Sequence, residues 1–228
     1  MSDLDPLRTF LQPVLLEKGA VLNEANRPIE HINFIESGLV SLMTLAKGRT
    51  LETAMVGHQG VAGASIALGG RLSIHKSVVL VPGTALRIHR DELLRTMAER
   101  PKIREHLLRY LQSLMIHSSQ TALCGVCHQL EQRLACWLCL ACDFLDGEAF
   151  AITHDHLSYI LGLRRASVTE ALMRFEDLGL VRKARGLLEV RERQSLEQRA
   201  CGCYSTISNA YGKAAARQPE IDPESVAL

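Results

Sequence analysis

The chain has 228 residues, 47% hydrophobic and 22% charged, with 26 Lys/Arg against 25 Asp/Glu. That apolar share is enough to bury a core and excludes wholesale disorder. A formal net charge of +1 excludes a polybasic coat or an acidic solvating tail, so any nucleic-acid site must come from local placement of charge. No apolar run approaches the roughly 20 residues of a membrane helix. The start, MSDLDPLRTF, has two acids within five residues and no apolar leader stretch, so a cytoplasmic chain without membrane contact is expected. All seven cysteines lie after Leu123, and in a reducing compartment they are not a disulfide framework by default.

Residues 20–90 read as a β domain. Nine of the 16 glycines fall between Gly19 and Gly83. Between them lie short alternating runs at His31–Ile35, Leu39–Leu45, Leu51–Met55, Ser77–Val81 and Thr84–Ile88, with Lys47-Gly48 as a hairpin turn. Such spacing predicts a barrel or jelly roll. From Arg90 the period becomes helical. Asp91 is the expected N-cap of a helix over 92–99. Pro101 opens a long helix with a narrow stripe at Ile103, Leu107, Leu111 and Leu114. That stripe fits either packing on the β domain or a dimerisation seam. A further helix is expected over 128–145, then a short strand at Phe150–Ile152.

Residues 153–190 carry the most information. Thr153 can cap a helix holding Leu157, Ile160 and Leu161, and Gly162 supplies a tight turn. A second helix turns Val168, Leu172 and Phe175 inward and Arg164, Arg165, Ser167, Thr169 and Glu170 outward. Gly179 ends it. Strands at Val181 and Leu187–Val190 would flank a basic wing with Arg182, Lys183 and Arg185. Helix, glycine turn, helix and hairpin make a winged helix-turn-helix. Over residues 153–193 there are eight Arg/Lys and six Asp/Glu, so the argument rests on placement and not on bulk charge. His154 and His156 are read as solvent-exposed. No Ser-His-Asp order, P-loop, dinucleotide glycine pattern or HExxH is present, so no catalytic residue is expected.

With these pieces in order, the chain resembles the Crp/Fnr family of bacterial transcription regulators over roughly residues 10–200. The matching motifs are Phe34-Ile35-Glu36-Ser37-Gly38-Leu39-Val40, Ile152-Thr153…Leu161-Gly162-Leu163-Arg164-Arg165-Ala166-Ser167-Val168-Thr169, and Glu176-Asp177-Leu178-Gly179-Leu180-Val181. The resemblance implies an α+β architecture. Residues 1–100 would be a β-roll (jelly-roll) sensor domain of the cyclic-nucleotide-binding type, and 101–127 a dimerisation helix. Residues 128–205 would be the winged helix-turn-helix, and 206–228 a tail.

The resemblance implies a homodimer, joined through Leu107, Leu111 and Leu114, that reads a palindrome in double-stranded DNA and meets RNA polymerase. Arg165 matches the family arginine that would contact guanine O6/N7. Ala166 stands where many members have Glu, and Glu170 where some have a second Arg, which puts the common half-site in doubt. Ser167 and Thr169 are read as phosphate or capping contacts. In nucleotide-binding members a Gly-Glu pair and an Arg-Ser pair hold ribose and phosphate. Here the corresponding positions are Gly63-Ala64 and Ser73-Ile74, with Ser118 and Ser119 on the helix. Arg71 or Lys76 would serve only in a shifted register. A buried phosphate without a cation is costly, so cyclic AMP is not expected; the pocket would take another small effector or none.

Oxygen-sensing members hold an iron–sulfur cluster with N-terminal cysteines, which this chain lacks. Cys124, Cys127, Cys136 and Cys139 remain weak metal or redox candidates, and no cofactor is expected. Cys136, Cys139 and Cys142 spread over about 9 Å of helix, too far for one ion. Small-residue packing, a reversible thiol switch and a bound metal all stay open. So does a second overall reading: a ligand- or thiol-sensing module that keeps the fold without binding DNA.

Overall fold

The computed structural model describes residues 5–215 apart from 47, 48 and 185. The expected Lys47-Gly48 turn and Arg185 therefore lie outside the described residues. A short helix α1 (Asp5–Arg8) precedes β1 (Gln12–Leu16), β2 (Val21–Asn23), β3 (His31–Ile35), β4 (Leu39–Ala46), β5 (Arg49–Val56), β6 (Val61–Ala62), β7 (Lys76–Val81) and β8 (Gly83–His89). These strands make two antiparallel sheets of four, in the orders β1-β8-β3-β6 and β2-β7-β4-β5. Their inner faces share one core that includes Ile32, Ile35, Val40, Leu42, Val56, Val79 and Ile88. The roll begins earlier than residue 20, because Gln12–Leu16 pairs along β8. Gly38 carries φ 89°, and a Cβ there would sit 2.7 Å from the Val81 carbonyl oxygen, so the turn into β4 requires glycine.

Helix α2 (Arg90–Glu99) follows β8 without a gap. Its cap is not Asp91 but His89, whose Nδ1 accepts the Asp91 N–H at 3.3 Å. The strand runs right up to the helix, which leaves Asp91 in the first turn, where its charge suits the helix dipole.

Helix α3 (Pro101–Cys127) is 27 residues long, or about 40 Å. Ile103, Leu107, Leu111 and Leu114 are buried against the chain's own β-roll core. This corrects the expected seam: Leu107, Leu111 and Leu114 are already covered and cannot also be the face offered to a second copy. Among the exposed positions of α3, Leu108, Gln112, Met115, Ser119, Ala122 and Val126 form one continuous stripe. Their steps of four and three residues are those of a coiled-coil stripe.

His128 caps α3 in extended conformation, and Gln129 opens α4 (Leu130–Leu145) with a reciprocal Gln129–Gln132 capping box. The helix expected from His128 thus starts two residues later. From Leu134 to Cys142 every residue of α4 is buried. Cys136, Cys139 and Cys142 therefore all face protein.

The C-terminal part adds β9 (Ala149–Ala151), α5 (His154–Leu161), α6 (Arg165–Asp177), β10 (Val181–Ala184), β11 (Leu187–Val190), α7 (Arg193–Arg199) and α8 (Cys203–Ala215). Its sheet has the order β10-β11-β9. Leu134, Leu138, Leu157, Val168, Leu172, Phe175 and Leu188 share its core. The stretch read as a tail from residue 206 is instead helix α8 as far as Ala215. It packs on α3 and α4, with Ser113 Oγ donating to the Ala210 carbonyl at 2.8 Å and His117 Nδ1 sharing a hydrogen bond with Tyr211 OH at 3.1 Å. Burial pushes the His117 pKa down to about 3, so the ring is neutral there.

Candidate nucleic-acid interface

The Thr153 side chain accepts the His156 N–H at 3.2 Å, which starts α5. Gly162 ends it with φ 63°, and its N–H closes back on the Ser158 and Tyr159 carbonyls. That single left-handed residue turns the chain so that α6 begins three residues later. Val168, Leu172 and Phe175 anchor α6 in the core. At its other end the Gly179 N–H bonds the Glu176 carbonyl (2.9 Å) and the Leu180 N–H bonds that of Phe175 (2.8 Å), the double closure of a Schellman motif.

The opposite face is left open. Arg164, Arg165, Ala166 and Glu170 are exposed, and Ser167 and Thr169 are half-buried. The first turn of α6 holds no acid and has no side-chain cap, so its free N–H groups and positive dipole end face outward. Arg165 Nε pairs with Asp155 Oδ1 at 2.8 Å, with both side chains more than two-thirds exposed. Such a pair is worth little in water and is easily exchanged for another acceptor. The Thr169 hydroxyl meets His154 Nδ1 at 2.8 Å and ties α6 to α5. His154 is half-buried rather than solvent-exposed; burial, then the Lys183 and Arg165 charges, lower its pKa. In the wing, Arg182 and Lys183 are exposed.

Two cavities flank α3. The first, about 300 Å³, lies between its middle and the β-roll. It gathers all six residues expected there: Gly63, Ala64, Ser73, Ile74, Ser118 and Ser119. Among the described residues no Lys, Arg, Asp or Glu lines it. Lys76 is spent on Glu24 at 3.1 Å. Ser73 Oγ donates to the His75 carbonyl and Ser119 Oγ to that of Met115.

The second cavity, about 450 Å³, lies at the far end of α3 beside Glu52, Trp137 and Cys124. Sequence reasoning missed Glu52. Between β4 and β5 the register slips, so that Leu42 faces Ala54 and Met43 faces Glu52. Thr53 is the extra residue, and this bulge turns Glu52 inward. Trp137 Nε1 donates to Glu52 Oε1 at 2.6 Å and Ser41 Oγ donates to the other oxygen. Burial pushes the Glu52 pKa up to about 7, against the effect of those two donors. The only hint was a lone acid beside Leu51 and ahead of the apolar run Ala54–Val56.

A β-roll with a pocket against a long helix, joined to a winged helix-turn-helix with two exposed arginines at the start of its second helix, is the architecture of a DNA-binding transcription regulator. Comparison with known proteins agrees. Residues 132–199 match the Crp-like helix-turn-helix domain. A CRP-like cAMP-activated global transcriptional regulator of Mycobacterium tuberculosis is 25% identical over 207 residues, covering 87% of this chain and 92% of that protein. FixK2 of Bradyrhizobium japonicum shares the fold with a TM-score of 0.72 at 17% identity, over 84% of this chain and 98% of that one. The c-di-GMP-responsive global regulator CLP of Xanthomonas campestris has a TM-score of 0.66 at 11% identity, over 82% and 97%. The chain thus carries a Crp-like helix-turn-helix domain on a fold that it shares with these regulators.

Proposed function

We propose that this regulator acts as a homodimer that reads a palindromic operator through Arg164–Glu170 and does not respond to cyclic AMP. The observation that carries the reading is the start of α6: an exposed arginine at the N-cap, a second at the first helical position, no acid in the first turn and free N–H groups. Arg165 exchanges Asp155 for a guanine edge, while Arg164, Ser167 and the wing residues Arg182, Lys183 and Arg185 meet phosphates. Ala166 offers a methyl contact and Glu170 an acceptor for cytosine N4. The exposed stripe of α3, centred on Leu108, Met115, Ala122 and Val126, pairs with its copy. Two recognition helices then meet half-sites about one helical turn apart.

In this reading residues 1–100 sense, 101–127 dimerise and the segment from 128 onward binds DNA, with α8 included. RNA polymerase is the partner of the remaining exposed surface. A cyclic phosphate would enter the first cavity without a cation to pair with, so any effector there is uncharged. The test is capture of fragmented genomic DNA by the reduced protein without added ligand. Recovery of a palindrome with half-sites one turn apart is expected. No preferred sequence, with the dimer intact, would favour the sensing-module reading instead.

A further inference from the structure

The Crp/Fnr reading leaves the cysteines unused, yet the fold gathers four possible ligands from two distant segments. Cys124 lies in the last turn of α3 and His128 is its cap. Cys201, Gly202 and Cys203 form the joint from which α8 starts. We propose that Cys124, His128, Cys201 and Cys203 bind a single tetrahedral zinc ion. Their ligand atoms all lie within 4.8 Å of one another. Cys124 Sγ is 3.4 Å from Cys201 Sγ, and Cys203 Sγ is 3.6 Å from His128 Nδ1. Zinc with Zn–S bonds of about 2.3 Å and a Zn–N bond of about 2.0 Å holds neighbouring ligands about 3.5–3.8 Å apart. Little movement is needed to close the site.

The surroundings suit such an ion. The three thiols are buried and His128 is half-buried, so the site is shielded while the ring keeps one edge toward solvent. Cys136, buried on α4, stands beside the group and adds a further thiol to its surroundings. The turn is pinned by the Ser205 and Thr206 hydroxyls, which both donate to the Gly202 carbonyl at 3.0 and 3.1 Å. Softness of the donors favours zinc over a hard cation. A cluster of several irons needs its ligands farther apart than this set allows. A Cys124–Cys201 disulfide would leave the convergence of Cys203 and His128 without a purpose.

On binding, zinc replaces the protons of the ligating thiols, which pass to solvent, and no oxidation state changes. The ion then clamps the α3–α4 joint to the α7–α8 joint. Of the cysteines named from sequence, only Cys124 becomes a ligand. Cys136 stands beside the site, Cys127 is exposed outside it, and Cys139 is buried elsewhere on α4.

The test uses the full chain, purified under reductant, with metal content measured by mass spectrometry. The chelator-stripped protein is then titrated with cobalt(II). One zinc per chain is expected, and cobalt should give the strong visible absorption of a tetrahedral thiolate site. Cys201→Ser and Cys203→Ser abolish the absorption, Cys127→Ser keeps it, and chelation lowers the melting temperature of the wild type. If the serine variants do not fold, His128→Ala still reads out as weakened cobalt affinity. A folded wild type that shows neither zinc nor cobalt absorption overturns the proposal. So does a Cys124–Cys201 disulfide that persists in the metal-free protein purified under reductant, or iron accompanied by acid-labile sulfide.

Discussion

Glu52 in the β-roll and Arg165 on the recognition helix are both charge-bearing groups held by partners, but by opposite physics. Glu52 is 5% exposed, and each of its oxygens accepts a donor from the chain, Ser41 or Trp137. Arg165 is largely exposed and its pair with Asp155 is bathed in water. The first arrangement is costly to break, because it would leave buried donors without acceptors. The second contributes roughly 0–1 kcal/mol and can be surrendered to a ligand. The same contrast separates the two candidate ligand regions. The β-roll pocket has its Ser73 and Ser119 hydroxyls already bonded to backbone and no charged lining among the described residues. The reading head keeps its cations available.

The largest effect is expected at Glu52. Glu52→Ala orphans the Trp137 N–H and the Ser41 hydroxyl, at about 1–3 kcal/mol for each group. The carboxyl also links stability to pH. Its folded pKa, about 7, lies above the ordinary 4.5, so between these values the folded chain holds a proton that the unfolded chain has lost. Its contribution is complete below pH 4.5 and falls as pH rises through 7, by at most about 1.4 kcal/mol per unit. Denaturant unfolding followed by Trp137, the single tryptophan, measures this. Glu52→Gln should flatten the slope, and an unchanged slope would remove Glu52 as its source.

A smaller effect belongs to the reading head. Arg165→Ala should leave folding stability nearly unchanged but weaken operator binding by about 1–3 kcal/mol, with preference relaxed at one base pair. Binding to a panel of single-base operator variants reads this, and an unaltered preference would mean that Arg165 touches only phosphate. The smallest change is expected in the wing. Lys183→Ala should weaken all sequences alike and reduce the slope of log affinity against log salt by about one unit. A sequence-dependent loss would make Lys183 a base reader and narrow the contrast drawn here.

Much of the fold was legible because its causes are local. Alternation marked five of the strands, though not Gln12–Leu16, whose exposed residues hide its pairing with β8. Thr153, Gly162 and Gly179 announced the helix ends of the reading head through capping and left-handed turns. The Arg164–Glu170 face followed from helical period alone. The six pocket residues came from the resemblance to nucleotide-binding family members and do line one cavity. Misreadings arose where two patterns of similar period competed. On α3, the Leu107–Leu114 stripe and the Leu108–Val126 stripe both recur at helical spacing, and only the β-roll decides which is covered.

The sequence by itself determined the class of most segments and which side chains α6 leaves exposed, because caps, turns and one-face periodicity act within a few residues. Only the tertiary structure decided three things. It turned Glu52 inward through a one-residue bulge against β4. It made helix α8 of the expected tail, because the hydrogen bonds of Ser113 and His117 to α8 close over more than 90 residues of sequence. It also brought Cys124 within 3.4 Å of Cys201 across 77 positions. Convergence over such distances is set by how helices pack, and no local spacing encodes it.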